Sequence, residues 1–440
     1  MKTIRYPKKK DWQEITKRPT IDTKFLEKTV SNILEDVKAH GDAALRHCAR
    51  HFDKVELDDF LVSEAEFIEA EEQISTELKN AIQTAKANIE KFHTAQIEQP
   101  EIIETTGGVF CWRKSVAIEK VGLYIPAGTA PLFSTVLMLA IPAKLAGCRE
   151  IIVCSPPDSN GKINAATLYS ARLCGATKVF KIGGAQAVGA LAFGTETVPK
   201  VYKIFGPGNQ FVTEAKQQIS KTGTAIDMPA GPSEVAVLAD ETCIPAFVAA
   251  DLLSQAEHGV DSQVLLVTTS EKVVEETLIE LEKQLEVLPR KNIAEKALGN
   301  STAVLVENMD EAVALLNEYA AEHLIIATET ADETAEKIIN AGSIFIGNYS
   351  CEAAGDYASG TNHTLPTNGY AKAFSGVSLD SFVKKITFQK LSADGIINLG
   401  RTIECLAEAE GLDAHKNAVS IRLEKLAANY TNSANKKLHK

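Results

Sequence analysis

The residues able to do chemistry gather in a few short stretches of the chain. In SQAEHG, Gln255 and His258 stand three apart, which puts both side chains on one face of a helix at its C-terminal end. Glu322 and His323 are adjacent at the start of an apolar run. Asp356 and His363 lie in a polar, glycine-rich stretch, and His415 falls in the first turn of the last helical segment. Neutral imidazole and carboxylate oxygen suit Zn²⁺ and related divalent ions, whereas an amide oxygen such as that of Gln255 is a poor ligand found mainly in open sites. None of these four histidines pairs with another at metal-ligand spacing, so spacing alone leaves a metal site and ordinary polar residues both open. A carboxylate beside an imidazole, as in Glu322-His323, suits acid–base work because histidine titrates near neutral pH. Adjacent residues on a strand point to opposite faces, so the pair can share one site only if the strand begins there. His40, His47, His51 and His93 sit among polar neighbours in a helical region and read as solvated surface.

A second group of residues follows strand-like runs: Tyr124-Ile125-Pro126-Ala127-Gly128, Gly183-Gly184-Ala185-Gln186 and Phe205-Gly206-Pro207-Gly208-Asn209. Small residues there let backbone N–H groups and a helix N-terminus approach a phosphate. None completes G-x-G-x-x-G, since Phe211 stands three after Gly208 and Gln186 takes the place of the second glycine after Gly184. A dinucleotide site and plain tight turns both remain open. Ligands of open α/β sheets sit at the carboxyl ends of strands, which directs attention to residues that follow them.

Two series of elements would position these groups. The first runs VGLYIPAG, helix 131–146, EIIVCSP, helix 163–174, KVFKIGG, helix 185–193 and KVYKIFGPG. The second runs SEVAVLAD, helix 244–257, QVLLVTT, a helix near 271–286, TAVLVEN, helix 310–320, HLIIATE, helix 331–340 and SIFIGN. Alternation of this kind predicts an α/β protein with two doubly wound, Rossmann-like parallel sheets. Residues 20–98 are rich in helix formers and form a helical lead-in, while 347–376 is a long polar loop of the kind that carries function. After a strand-like FVKKITFQ, two helical stretches split at Gly411-Leu412-Asp413 make a small helical C-terminal tail, with Gly411 ending one helix and Asp413 capping the next.

Composition narrows the classes. The chain has 440 residues, 45% of them hydrophobic and 24% charged, so it buries a large core rather than staying disordered. With 46 basic and 58 acidic residues the net charge is -12, and nucleic acid is not an expected partner. The apolar run 136–143 is far short of the ~20 residues of a membrane span, so no membrane contact is expected. No apolar segment follows the lysine-rich start as in a signal peptide. Eight scattered cysteines without a C-x-x-C pair read as free thiols in a reducing, cytoplasmic setting.

Long segments carry a resemblance: VGLYIPAGTAPLFSTVLMLAIPAKLAGC, IGGAQAVGALAFGTETVPKV, KIFGPGNQFVTEAK, IDMPAGPSEV, DLLSQAEHG and NAGSIFIGNYSCEAAGDYASGTNHTLPT. From about residue 20 to 430 the sequence resembles the histidinol dehydrogenase family. The resemblance implies NAD-dependent oxidation of L-histidinol to L-histidine through L-histidinal, the last steps of histidine biosynthesis. It also implies one Zn²⁺ per subunit, held by Gln255, His258, Asp356 and His415, with Glu322 and His323 as catalytic bases. Ser233, His363 and Glu410 match substrate-contacting positions, together with the metal ligands and His323. Tyr124, Gln186 and Asn209 match positions that contact NAD. The family is a homodimer with exchanged tails. The expected division is an N-terminal arm, 1–19, packing with the tail; a Rossmann-like domain of 20–119 plus 234–376; a second, NAD-side domain, 120–233; and the tail, 377–440. The rivals are a zinc-dependent hydrolase acting on a small amine or imidazole substrate, a non-catalytic two-domain binding protein, and a second oxidation through a thiolate at Cys111 or Cys148.

Overall fold

The computed structural model describes residues 1–19, 23–127, 131–229 and 231–438. Two compact units form: Met1–Gln96 with Ile118–Phe382, and Ile97–Ala117 with Val383–Lys440. The strands in chain order are β1 (Lys2–Arg5), β2 (Ile102–Thr106), β3 (Val109–Ala117), β4 (Lys120–Tyr124), β5 (Glu150–Ser155), β6 (Lys178–Lys181) and β7 (Lys203–Phe205). There follow β8 (Ala225–Ile226), β9 (Glu234–Ala239), β10 (Gln263–Thr268), β11 (Thr302–Leu305), β12 (His323–Ala327), β13 (Ser343–Ile346) and β14 (Val383–Leu391).

The first unit holds two all-parallel sheets, of order β6-β5-β4-β7-β8 and β1-β11-β10-β9-β12-β13. Both are doubly wound, as the alternating pattern predicts. Their strands read as continuous apolar runs because helices cover both faces. Ile151 and Val153 join the core on one face of the five-stranded sheet, and Ile152 and Cys154 the core on the other. Val235 and Val237 are divided from Ala236 and Leu238 in the same way across β9.

Two segments differ from the expected division. The helical lead-in packs on the five-stranded sheet, not on the six-stranded one. Helix Thr23–His40 sends Val30, Leu34 and Val37 into the core on one face, and the helices Glu64–Gln73 and Thr76–Thr94 send Ala70, Ile82, Ala85 and Ile89 into the core on the other. The first of these helices seats on the small-residue surface of helix Gly184–Phe193, where a Cβ on Gly189 would stand 3.1 Å from Leu34. The N-terminal arm adds β1 in parallel beside β11 and buries Trp12 and Ile15 against the same sheet. His93, expected at the surface, is fully buried, with Nδ1 3.2 Å from Oε1 of Gln96.

The second unit is built on three strands and two helices. β2 and β3 form a hairpin, β14 pairs antiparallel with β3, and helices Ala393–Ala409 and Asp413–Leu438 follow. Ser392 caps the first helix, and Gly411 takes the left-handed conformation (φ 70°) that ends it. Asp413 is the first residue of the next helix.

Candidate active site

In the six-stranded sheet β9 and β12 are neighbours at the point where strand order reverses. The chemistry gathers at their amino ends. His323 is the first residue of β12 and Glu322 precedes it, so the alternation that would separate the pair has not yet begun. Helix Pro245–Ala256 runs back after β9 and brings Gln255 and His258 to the same end. The short helix Glu352–Tyr357 presents Glu352 and Asp356, four apart, on one face. The rule that favours carboxyl ends therefore points away from this cluster, because it is built on residues that precede strands and on a returning helix.

The contacts are close. Nε2 of Gln255 donates to Oε2 of Glu322 at 3.3 Å and lies 3.3 Å from Nδ1 of His323. The Glu234 N–H donates to Oε2 of Glu322 at 2.9 Å, and the Glu234 carbonyl lies 3.3 Å from Nδ1 of His323. Nε2 of His323 faces Oδ1 of Asp356 at 3.4 Å, and Nδ1 stands 3.8 Å from Oε1 of Glu352. The Nδ1–H of His363 donates to the Asp356 carbonyl at 2.8 Å, and its Nε2 lies 3.1 Å from Thr135 Oγ1.

Burial pushes the Glu322 carboxyl up to about 8 and raises that of Glu352 as well. Burial works against a charged His323, yet Glu322, Glu352 and Asp356 around it prevail and push it up to about 10. Burial also opposes the charge on Asp356, but His323 holds that carboxyl below its ordinary value. His363 is lowered mainly by burial, and His258 is lowered by the protein packed around it although its surface is exposed; both shifts favour the neutral imidazole that ligates metal. The cluster is short of positive charge.

Its unpartnered atoms test whether a metal fits. Among the described residues, buried Gln255 Oε1 and Glu352 Oε1 have no hydrogen-bond partner, and Asp356 Oδ1 and His323 Nε2 have only each other, at 3.4 Å. Unpaired buried acceptors are costly and call for an explanation. One ligand atom each from His258, Glu352 and Asp356 lies within 4.8 Å of the others. Nitrogen and oxygen donors in this number suit Zn²⁺, and a cation here would offset the excess carboxylate that keeps His323 protonated. Glu352 was not singled out from the sequence, although its spacing to Asp356 was a usable signal.

The remaining predicted residues belong to other elements. Ser233 immediately precedes β9, half-buried, and its carbonyl accepts from the Gln263 N–H at 3.2 Å. Glu410 and His415 belong to the second unit, where both are exposed, at the end of one helix and in the first turn of the next. Tyr124, Gln186 and Asn209 sit at the carboxyl ends of the five-stranded sheet, where β4 and β7 adjoin. The Tyr124 hydroxyl accepts from the Gly184 N–H at 3.2 Å, and burial pushes it up to about 12, so its own proton remains to be donated. Gln186 is buried, and Gly128 lies outside the described residues. Asn209 is exposed and spends its Oδ1 capping Phe211 and Val212, which leaves its amide NH₂ for a ligand. Gly206 (φ 127°) has no room for a Cβ beside the Tyr124 carbonyl. Its N–H donates to Oδ2 of Asp227 at 2.8 Å and its carbonyl accepts from Lys216 Nζ at 2.9 Å, which fixes this glycine turn. Burial pushes the Cys148 thiol up to about 12, opposite to what a nucleophilic thiolate needs.

A sequence profile of histidinol dehydrogenases matches residues 16–423. The chain belongs to the histidinol dehydrogenase family. It is 61% identical over 426 residues to the histidinol dehydrogenase of Bacteroides fragilis strain YCH46, covering 97% of this chain and 100% of that one. It is 55% identical over 401 residues to that of Haemophilus influenzae strain 86-028NP, covering 91% and 93%. The crystal structure of histidinol dehydrogenase from Elizabethkingia anophelis superposes with a TM-score of 0.95 at 56% identity, covering 97% of this chain and 99% of that one. Membership makes the chain an oxidoreductase and removes the hydrolase reading. Among the described residues no helix is long and apolar enough to cross a membrane.

Proposed function

We propose that this chain oxidises L-histidinol to L-histidine through L-histidinal, with two NAD and one Zn²⁺ per subunit. The observation that carries the reading is the group of unpartnered buried donor atoms around Glu322 and His323, in a member of this family. Gln255, His258 and Asp356 would hold the metal with His415, and Glu352 is a further carboxylate within reach. A bound zinc supplies open positions for the imidazole and amine nitrogens of the substrate, and NAD accepts a hydride in each oxidation.

The residues of the chain move the protons. His323 takes the hydroxyl proton while the carbinol carbon gives up its hydride, which leaves the aldehyde. In the second oxidation Glu322, with His323, removes a proton from the water that adds to that aldehyde. The hydrate then gives up a second hydride to NAD and a hydroxyl proton to His323, and the acid so formed loses its remaining proton to become the carboxylate. Ser233, His363 and Glu410 would hold the substrate, and Tyr124, Gln186 and Asn209 would line the cofactor side. Mixing the zinc-loaded protein with histidinol and NAD should produce the NADH absorbance band, abolished by a chelator and restored by Zn²⁺. No NADH from the loaded protein would overturn the reading.

A further inference from the structure

Behind the active-site cluster lies a buried ion pair with no role in the chemistry above. Arg18, at the end of the N-terminal arm, forks onto Glu234: Nη2 reaches Oε2 at 2.6 Å and Nε reaches Oε1 at 3.1 Å. The two side chains are only 8% and 1% exposed. The same guanidinium donates to the carbonyls of Thr16 and Tyr319, each at 2.7 Å, and lies 3.6 Å over the Tyr319 ring. The Tyr319 hydroxyl is fixed in turn by Oε1 of Gln263 at 3.0 Å. All three guanidinium nitrogens are engaged, in four hydrogen bonds, and a buried pair of this kind contributes little net stability for the desolvation it costs.

What it holds is the first residue of β9. The Glu234 N–H donates to Glu322, and its carbonyl faces Nδ1 of His323. An Nδ1 proton donated there leaves Nε2 as the basic nitrogen, on the Asp356 side. The Glu234 carboxylate also accepts from the Asn368 N–H, and Thr367 Oγ1 accepts from the Gly231 N–H, so the loop after His363 is tied to the same point.

We propose that Arg18 and Glu234 are positioning residues for the Glu322–His323 pair: the ion pair fixes the Glu234 peptide, which aims the Glu322 carboxylate and sets the His323 tautomer. The proposal rests on the reading that Glu322 and His323 perform the proton transfers. Arg18→Met in the zinc-loaded full chain should lower kcat for histidinal oxidation by about 10- to 100-fold, the usual cost of losing such a support. Zinc content and the KM for NAD should stay at wild-type values. Arg18→Lys keeps the charge but not the fork, so it should show a smaller loss of the same kind, and it serves in the same tests should the Met variant not fold.

The deciding readout is a double-mutant cycle with Glu322→Gln. If Arg18 acts through Glu322, its replacement costs at most about threefold more in the Glu322→Gln background, because residues acting as a unit are non-additive. A full, multiplicative loss in both backgrounds marks a merely structural role and overturns the proposal, as does an unchanged kcat in Arg18→Met. A Glu322→Gln enzyme with wild-type kcat would instead show that the catalytic reading had failed, which the Arg18 results alone do not.

Discussion

Glu322→Gln separates the roles of the two bases. The side chain is 9% exposed, and its Oε2 accepts from the Glu234 N–H at 2.9 Å and from Gln255 Nε2 at 3.3 Å. A glutamine amide oxygen can take both bonds in place, and burial already favours a neutral group there, with the carboxyl pushed up to about 8. The stability change should therefore be no more than about 1 kcal/mol, the scale of one altered hydrogen bond. Activity should respond very differently. Losing a general base costs about 10²- to 10⁴-fold, or about 2.7–5.4 kcal/mol in the barrier. That loss should fall on histidinal oxidation, where water must be activated, and much less on histidinol oxidation, where His323 takes the proton. Single-turnover NADH formation, started separately from histidinol and from histidinal, resolves the two steps. Equal loss in both would refute the division of labour, and a collapse in melting temperature would refute the account of the hydrogen bonds.

Other perturbations test the remaining parts. His258→Asn should lower zinc affinity by at least about 100-fold and weaken histidinol binding with it; unchanged zinc content by metal analysis would remove His258 from the ligand set. His323→Ala and His415→Ala should each be inactive alone, yet regain activity when refolded together, since in a dimer with exchanged tails one site collects both defects and the other none. Persistent inactivity in confirmed mixed dimers would mean that each chain completes its own site. Burial pushes the half-buried Asp53 carboxyl from 3.8 up to about 6, so between these values the folded protein holds a proton that the unfolded chain has lost. This group's contribution is present below about pH 4 and is lost as pH rises through about 6. Asp53→Asn should thus gain thermal stability over wild type as pH rises across that window, and a pH-independent difference in melting temperature would count against burial as the cause.

The two parallel sheets were legible because strands such as EVAVLA and QVLLVT, covered on both faces, leave unbroken apolar runs between helical stretches. β2 was not, since its residues are almost all exposed and show no alternation, and β1 is only four residues long at a sheet edge. In the site, helical spacing paired Gln255 with His258, and the same arithmetic applied to Glu352 and Asp356 would have found the further carboxylate. Arg18 offered no such signal: its partner lies 216 positions away, and only the folded sheet brings them together. His93 misled in the opposite direction, because polar neighbours along the chain do not report what a helix packs against. The site's location at the amino ends of β9 and β12 was hidden by the rule that directs attention to the carboxyl ends of strands.

The most direct measurement is the number of NADH formed for each histidinol consumed by the zinc-loaded protein at completion. Two successive hydride transfers at one site predict two NADH, with histidine as the product and no free aldehyde accumulating. One NADH per histidinol, with histidinal released, would contradict the account, because the Glu322-assisted hydration that it assigns to this site would then play no part.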